Sequence, residues 1–269
     1  MCIRDRGVGV AVAKFAEFDQ AMSFVAATGD DARENMDALR QAALEAGSAT
    51  VFSATESANA IEEMAKAGLS ARDILAGGLT GALDLAAAGG LGVAEAAGIA
   101  ATTLQQFQLD GEEATHVADL LAAGAGKAMG DVTDLGTALD QAGLVASQFG
   151  LSVDETVGTL SAFASAGMLG SDAGTSMRTM LLRLANPTKE VADLMSSLGI
   201  SAYDTQGNFV GLSGLAGELE TGLEGMTQAQ RDQTLAMIFG QDAIRGANIL
   251  LREGCLLYTS DAADDTPCV

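Results

Sequence analysis

Apolar residues recur along this chain at the three-and-four spacing of an α-helix, not in strict alternation. Val12, Phe15, Met22 and Val25 begin a first long helix, and Ala32, Met36, Leu39 and Ala43 continue on a second. Gly47 stands where a left-handed residue would end that second helix. The stripe returns at Leu75, Leu79, Leu83 and Ala86, and again at Val132, Leu135, Leu139, Ala142 and Ala146. It returns once more at Met177, Leu181 and Leu184, before Pro187 stops the helix. Further along come Leu215, Leu219 and Leu223, then Leu235 and Ile238 with Gly240 as terminator, then Ala243, Ala247, Leu250 and Leu251. Each stripe needs a facing surface to bury it. The predicted fold is therefore all-α: an array of short amphipathic helical hairpins. One segment differs. In residues 200–210, Ile200, Tyr203, Phe209 and Val210 flank the pair Gly207-Asn208. They predict a small β-hairpin, marginal alone and packed on helices.

The helix starts carry an internal similarity. Ser53-Ala54-Thr55-Glu56 and Ser152-Val153-Asp154-Glu155 both read as capping boxes, a hydroxyl followed three residues later by a carboxylate. Phe52 precedes the first directly, and Phe149 lies three residues before the second. An offset of 99 residues maps Ala54, Ala58, Ile61, Met64 and Ala65 onto Val153, Val157, Leu160, Phe163 and Ala164. Both helices finish in Ala-Gly, at Ala67-Gly68 and Ala166-Gly167. Shared start, stripe and end point to a duplicated packing unit. A third, weaker copy starts at Asp110 after Phe107, with Ala118, Leu121 and Ala122 on its stripe; Thr115 departs from the pattern. It reads equally as any well-capped amphipathic helix. Thr227 and Gln230 form another box.

Composition sharpens this picture. The chain has 33 glycines among 269 residues and no tryptophan. Each glycine inside a helix costs about 1 kcal/mol relative to alanine, so short helices with close backbone approaches are expected. The formal charge is −22. A field of that sign opposes binding to nucleic acid and to anionic lipid. Residues 74–104 are the most apolar stretch, yet Asp84 and Glu95 interrupt them, and a spanning helix needs about 20 apolar residues.

The two ends read differently from the rest. Residues 1–6 and 255–269 resemble the two reading directions of a transposon sequencing adapter, which leaves 7–254 as the natural segment of a longer protein. Without the ends, 12 basic and 32 acidic residues remain, a balance near −20. Cys2, Cys255 and Cys268 all fall in these end segments, so the natural segment has no disulfide framework and no thiolate metal site.

Candidate chemistry is sparse. His116 is the single histidine and lies off the stripe of its helix. That excludes a zinc site of the usual kind and a Ser-His-Asp or Cys-His constellation. The acidic pairs Glu62-Glu63, Glu112-Glu113 and Asp154-Glu155 fall at helix starts or on polar faces, where they favour the helix dipole. Gly89-Gly90-Leu91-Gly92 and residues 170–175 are glycine-rich but lack the lysine and flanking strand of a phosphate-binding loop. Both read as helix connections. Asp204 and Asn208 supply too few spaced oxygens for calcium and read as a turn. The expectation is no enzyme, no cofactor and no metal.

Several stretches together resemble the tail tape-measure proteins of long-tailed phages and prophages. Phe18-Asp19-Gln20-Ala21-Met22 is similar to the family's opening, and residues 50–60 running on to Ala67-Gly68 to its most recognisable stretch. Gly167 with Gly170, Gly174, Thr175 and Arg178 resembles a second stretch, Gly199, Asp204 and Gly207 a third, and Ile238, Phe239, Gly240 and Ala243 a fourth. The structural motif residues so marked are Phe52, Ser53, Glu56, Ala67, Gly68, Gly174, Thr175, Arg178, Gly199, Asp204, Gly207, Phe239 and Gly240. The resemblance implies a structural virion component that sets tail length along the axis of the growing tube and, in some relatives, assists genome passage. It implies tail-tube subunits, tail assembly chaperones and baseplate or distal tail proteins as partners, and self-association. No direct nucleic-acid binding is implied, and membrane contact only during ejection. The place would be the virion tail, reached through the host bacterial cytoplasm. The short capped helices suggest a folded assembly module, not a measuring rod. Two rival readings remain: a membrane-active, pore-forming helical protein, suggested by the small residues of 74–104, and a cell-wall hydrolase domain.

Overall fold

The computed structural model describes residues 4–257, and side chains from 13 to 252. Most of the two end segments read as adapter sequence, the three cysteine side chains and the Val12 side chain therefore lie outside the described residues. The chain forms two compact units that divide between Ala122 and Ala123. Among the described residues all regular structure is helical.

Unit 1 contains α1 (Arg4–Ala27), α2 (Asp30–Glu34), α3 (Met36–Ala49) and α4 (Ala54–Lys66). They are followed by α5 (Ala71–Asp73), a π-turn (Ile74–Gly78), α6 (Leu79–Gly89), α7 (Val93–Phe107) and a 3-10 turn (Gly111–Glu113). The helix α8 (Ala114–Lys127) follows. The core is built around α4, which packs against α1, α3 and α7. Ala58, Ile61 and Met64 of its stripe are fully buried.

Unit 2 contains α9 (Val132–Gln148), α10 (Val153–Ser165), α11 (Gly170–Ala185) and α12 (Lys189–Ser197), then α13 (Gly211–Gly222), α14 (Gln228–Phe239) and α15 (Ile244–Leu257). Its closest pairing is α9 with α11. Gly170 faces Asp134 and Thr137, while Gly174 faces Ala138 and Gln141, so the two helices run in the same direction. The helix α15 closes the unit against α10, α11, α13 and α14.

Several expectations need correction. No β-hairpin forms at 200–210; one isolated bridge joins Tyr203 and Phe209. The flanks are consumed elsewhere: Ile200 N–H donates to Met195 O at 2.9 Å to close α12, and Gly211 already opens α13. Too few residues remain for a ladder. Gly47 does not end α3, which runs on to Ala49; a Cβ there would overlap Ala54, so this glycine allows the start of α4 to approach. Residues 170–175 are not a connection but the first turns of α11. Ala32 and Met36 do not share one helix, because Asn35 breaks the run between α2 and α3. Phe15 is 66% exposed, and the buried stripe of α1 is Phe18, Ala21, Met22 and Val25. Leu75 is likewise exposed, since the π-turn rotates the chain and Ile74 takes the inner position.

Candidate functional site

The residues singled out from the sequence sit at helix ends and helix crossings. Ser53 Oγ accepts from Glu56 N–H at 3.2 Å, and Glu56 Oε2 accepts from Ser53 N–H at 2.7 Å, a complete capping box. These bonds, first from the Ser53 backbone and then from its hydroxyl, hold the Glu56 carboxyl below its ordinary value. Phe52 is half-buried just before the box. At the far end Ala67 is the C-cap, still with right-handed backbone angles, and Gly68 takes φ +96°. Leu69 N–H then donates to Met64 O at 3.0 Å, a Schellman closure.

The second copy repeats this and then diverges. Gly167 has φ +80°, and Met168 N–H donates to Phe163 O at 2.9 Å. Ser57 and Thr156, both fully buried, place their hydroxyls on the carbonyls of Ser53 and Ser152 at 3.2 and 2.8 Å. Ser152 caps Glu155 N–H at 3.1 Å, but the expected return bond is not made. Glu155 Oε1 instead accepts from Leu212 N–H at 2.6 Å, at the start of α13. Asp110, the start of the proposed third copy, makes no side-chain cap. Thr227 and Gln230 do form the complete box read from the sequence.

In α11, Gly174 is buried where a Cβ would overlap the Ala138 carbonyl oxygen. Thr175 and Arg178 are half-buried on the same helix. Gly199 and Gly207 take φ +70° and +87°. Asp204 accepts from Asn208 N–H at 2.8 Å and Gln206 N–H at 2.9 Å. The Asn208 backbone bond is the main cause that lowers its carboxyl. These bonds make Asp204 the anchor of the turn that the sequence predicted. Phe239 is fully buried, and Gly240 at φ +78° has the Arg183 guanidinium against its backbone.

The motif residues do not gather in one cavity. A cleft of 310 Å³ in unit 1 is lined by Asp31, Leu39, Leu69 and Ser70 and touches Gly68. A cleft of 560 Å³ in unit 2 is lined by Glu220, Glu224, Arg231 and Arg252, among others, and touches none of them. His116 is exposed. Glu62 and Glu63 pair with Lys66 at 2.7 and 3.0 Å on the surface of α4. Among the described residues no group of three His, Cys, Asp or Glu could hold a metal ion. None of the described helices is long and apolar enough to cross a membrane.

Three features were missed in the sequence. The box Asp131/Asp134 was legible, as an acidic cap followed by a carboxylate three residues on. The bonds from Ala71 N–H to Asp31 Oδ2 at 2.6 Å and from Leu212 N–H to Glu155 were not, because the partners are 40 and 57 residues apart.

What this geometry offers, among the described residues, is capped helix ends and close helix crossings at glycines. A family model described as phage-related minor tail protein matches residues 40–240. The chain belongs to that family. It is 36% identical over 238 residues to the tape measure protein of Pneumococcus phage Dp-1, covering 88% of this chain and 21% of the relative. It is 30% identical over 260 residues to a probable tape measure protein of Escherichia phage P2, covering 91% of this chain and 32% of the relative. The chain thus spans between about a fifth and a third of the length of these relatives. No solved structure matches.

Proposed function

We propose that this chain is a segment of a phage tail tape-measure protein, acting as a structural scaffold in tail-tube assembly and length determination. The observation that carries this reading is the likeness to two tape measure proteins over nearly the whole chain. Helices held by caps and glycine crossings support it, because they serve packing. The same reading assigns tail-tube subunits, tail assembly chaperones and baseplate or distal tail proteins as partners, with self-association and a place in the virion tail after assembly in the host cytoplasm. In this reading the segment carries no catalysis, and it aids genome ejection only as part of the longer protein.

Mass spectrometry of purified virions tests it. Peptides from 54–66 and 170–185 should co-purify with tails, and an amber mutation in this frame should give tailless or irregular particles. Normal tails of normal length from the amber mutant would overturn the reading.

A further inference from the structure

Residues 186–210 leave the body of unit 2 between α11 and α13. Within them only Val191, Met195, Ile200 and Ala202 are buried. The helix α12 packs thinly, mainly on α14. The middle of the segment rests on α13, where Ile200 lies against Gly222 and Ser201 N–H donates to Glu218 Oε2 at 3.2 Å.

The far end is fastened differently. Phe209 meets Phe149, the C-cap of α9, edge to face, with ring centroids 5.4 Å apart. Three residues later Leu212 N–H donates to Glu155 Oε1. The two contacts lie on either side of the α9–α10 turn. Val210 gives α13 no side-chain cap, so the Glu155 carboxylate, reaching from α10, takes that role. Gly211 is shaped for it. Its φ is +79°, and a Cβ there would stand 2.9 Å from Glu155 Oε1. The first copy of the repeat lacks this device, since Glu56 closes on its own Ser53.

We propose that residues 186–210 are a releasable strap, clasped onto the α9–α10 turn by Phe149–Phe209 and Glu155–Leu212. The strap opens while α9, α10, α11 and α15 stay folded. Opening bares the Phe149 ring and frees 25 residues, which fully extended span roughly 80 Å. The two ends of the freed segment stay held, because α11 and α13 both pack on α15. The strap is a property of unit 2 and stands independently of the tail role.

Native-state hydrogen exchange on the full chain tests this, since local opening and global unfolding differ in rate and in denaturant dependence. In the unaltered protein, the amides of Leu198, Val210 and Leu212 should exchange about tenfold or more faster than those of Ala142 and Leu181, with little denaturant dependence. Glu155→Ala should speed the first set by a further factor of about ten and leave the second unchanged. Glu155→Gln keeps an acceptor oxygen and should act less. Equal rates and slopes for both sets in the unaltered protein would overturn the strap, whether or not Glu155→Ala folds. Equal acceleration of both sets by Glu155→Ala would overturn it too.

Discussion

At Gly174 a single hydrogen fills the space between α9 and α11. An added methyl would overlap the Ala138 carbonyl oxygen, and overpacking of this kind costs about 1–3 kcal/mol. Gly98 is the opposite case, interior to α7 with nothing near its missing Cβ. Gly174→Ala should therefore destabilise the protein by about 1–3 kcal/mol, while Gly98→Ala should stabilise it by about 0.5–1 kcal/mol. Urea denaturation of the two variants measures both signs. Glu56 makes a prediction in pH. Folding lowers its carboxyl below 4.5 through the Ser53 bonds. Its stabilising contribution is thus full above the unfolded value and is lost as pH falls through the folded one. Glu56→Gln removes that titration. The melting difference between wild type and Glu56→Gln should be largest near neutral pH and shrink in acid; a constant difference would show that the cap does not titrate.

At the scale of the element, what was legible is what the chain decides locally. The stripes of α9 and α10 needed only helical spacing, and every predicted position on them is buried. The caps at Ser53 and Thr227 needed only neighbours three residues away. What escaped depends on distant partners. Gly47 looks like a helix end and is a close approach to α4. Tyr203 and Phe209 look like hairpin residues, yet Phe209 turns its ring to Phe149 on another element. Glu155 has the spacing of a capping box and spends its carboxylate on α13. The duplicated unit shows both sides, since α4 and α10 share start, buried hydroxyl and closure but differ in what that glutamate holds. Phe163, fully buried on α10, stands where α4 has Met64. Truncating a buried phenylalanine costs about 3–5 kcal/mol, so Phe163→Ala should lower the denaturation midpoint by far more than truncation of the exposed Leu182.

At the scale of the whole molecule the question is whether this segment measures. A helical ruler adds about 1.5 Å per residue only while it runs straight. The longest described helix, α1, has 24 residues and spans about 36 Å; α9, the longest of unit 2, has 17. Unit 2 folds its helices back on one another around the α9–α11 pair, so its residues do not add end to end. Removing them from the full-length protein should therefore shorten the tail much less than an extended helix predicts. The 123–254 part of unit 2 would account for roughly 200 Å as a straight helix. We expect its in-frame deletion, scored by electron microscopy of tails, to change tail length by a small fraction of that or to block assembly. A loss of the full straight-helix length, with assembly intact, would mean that these helices open into a rod inside the tail and that the packed units describe only the free protein.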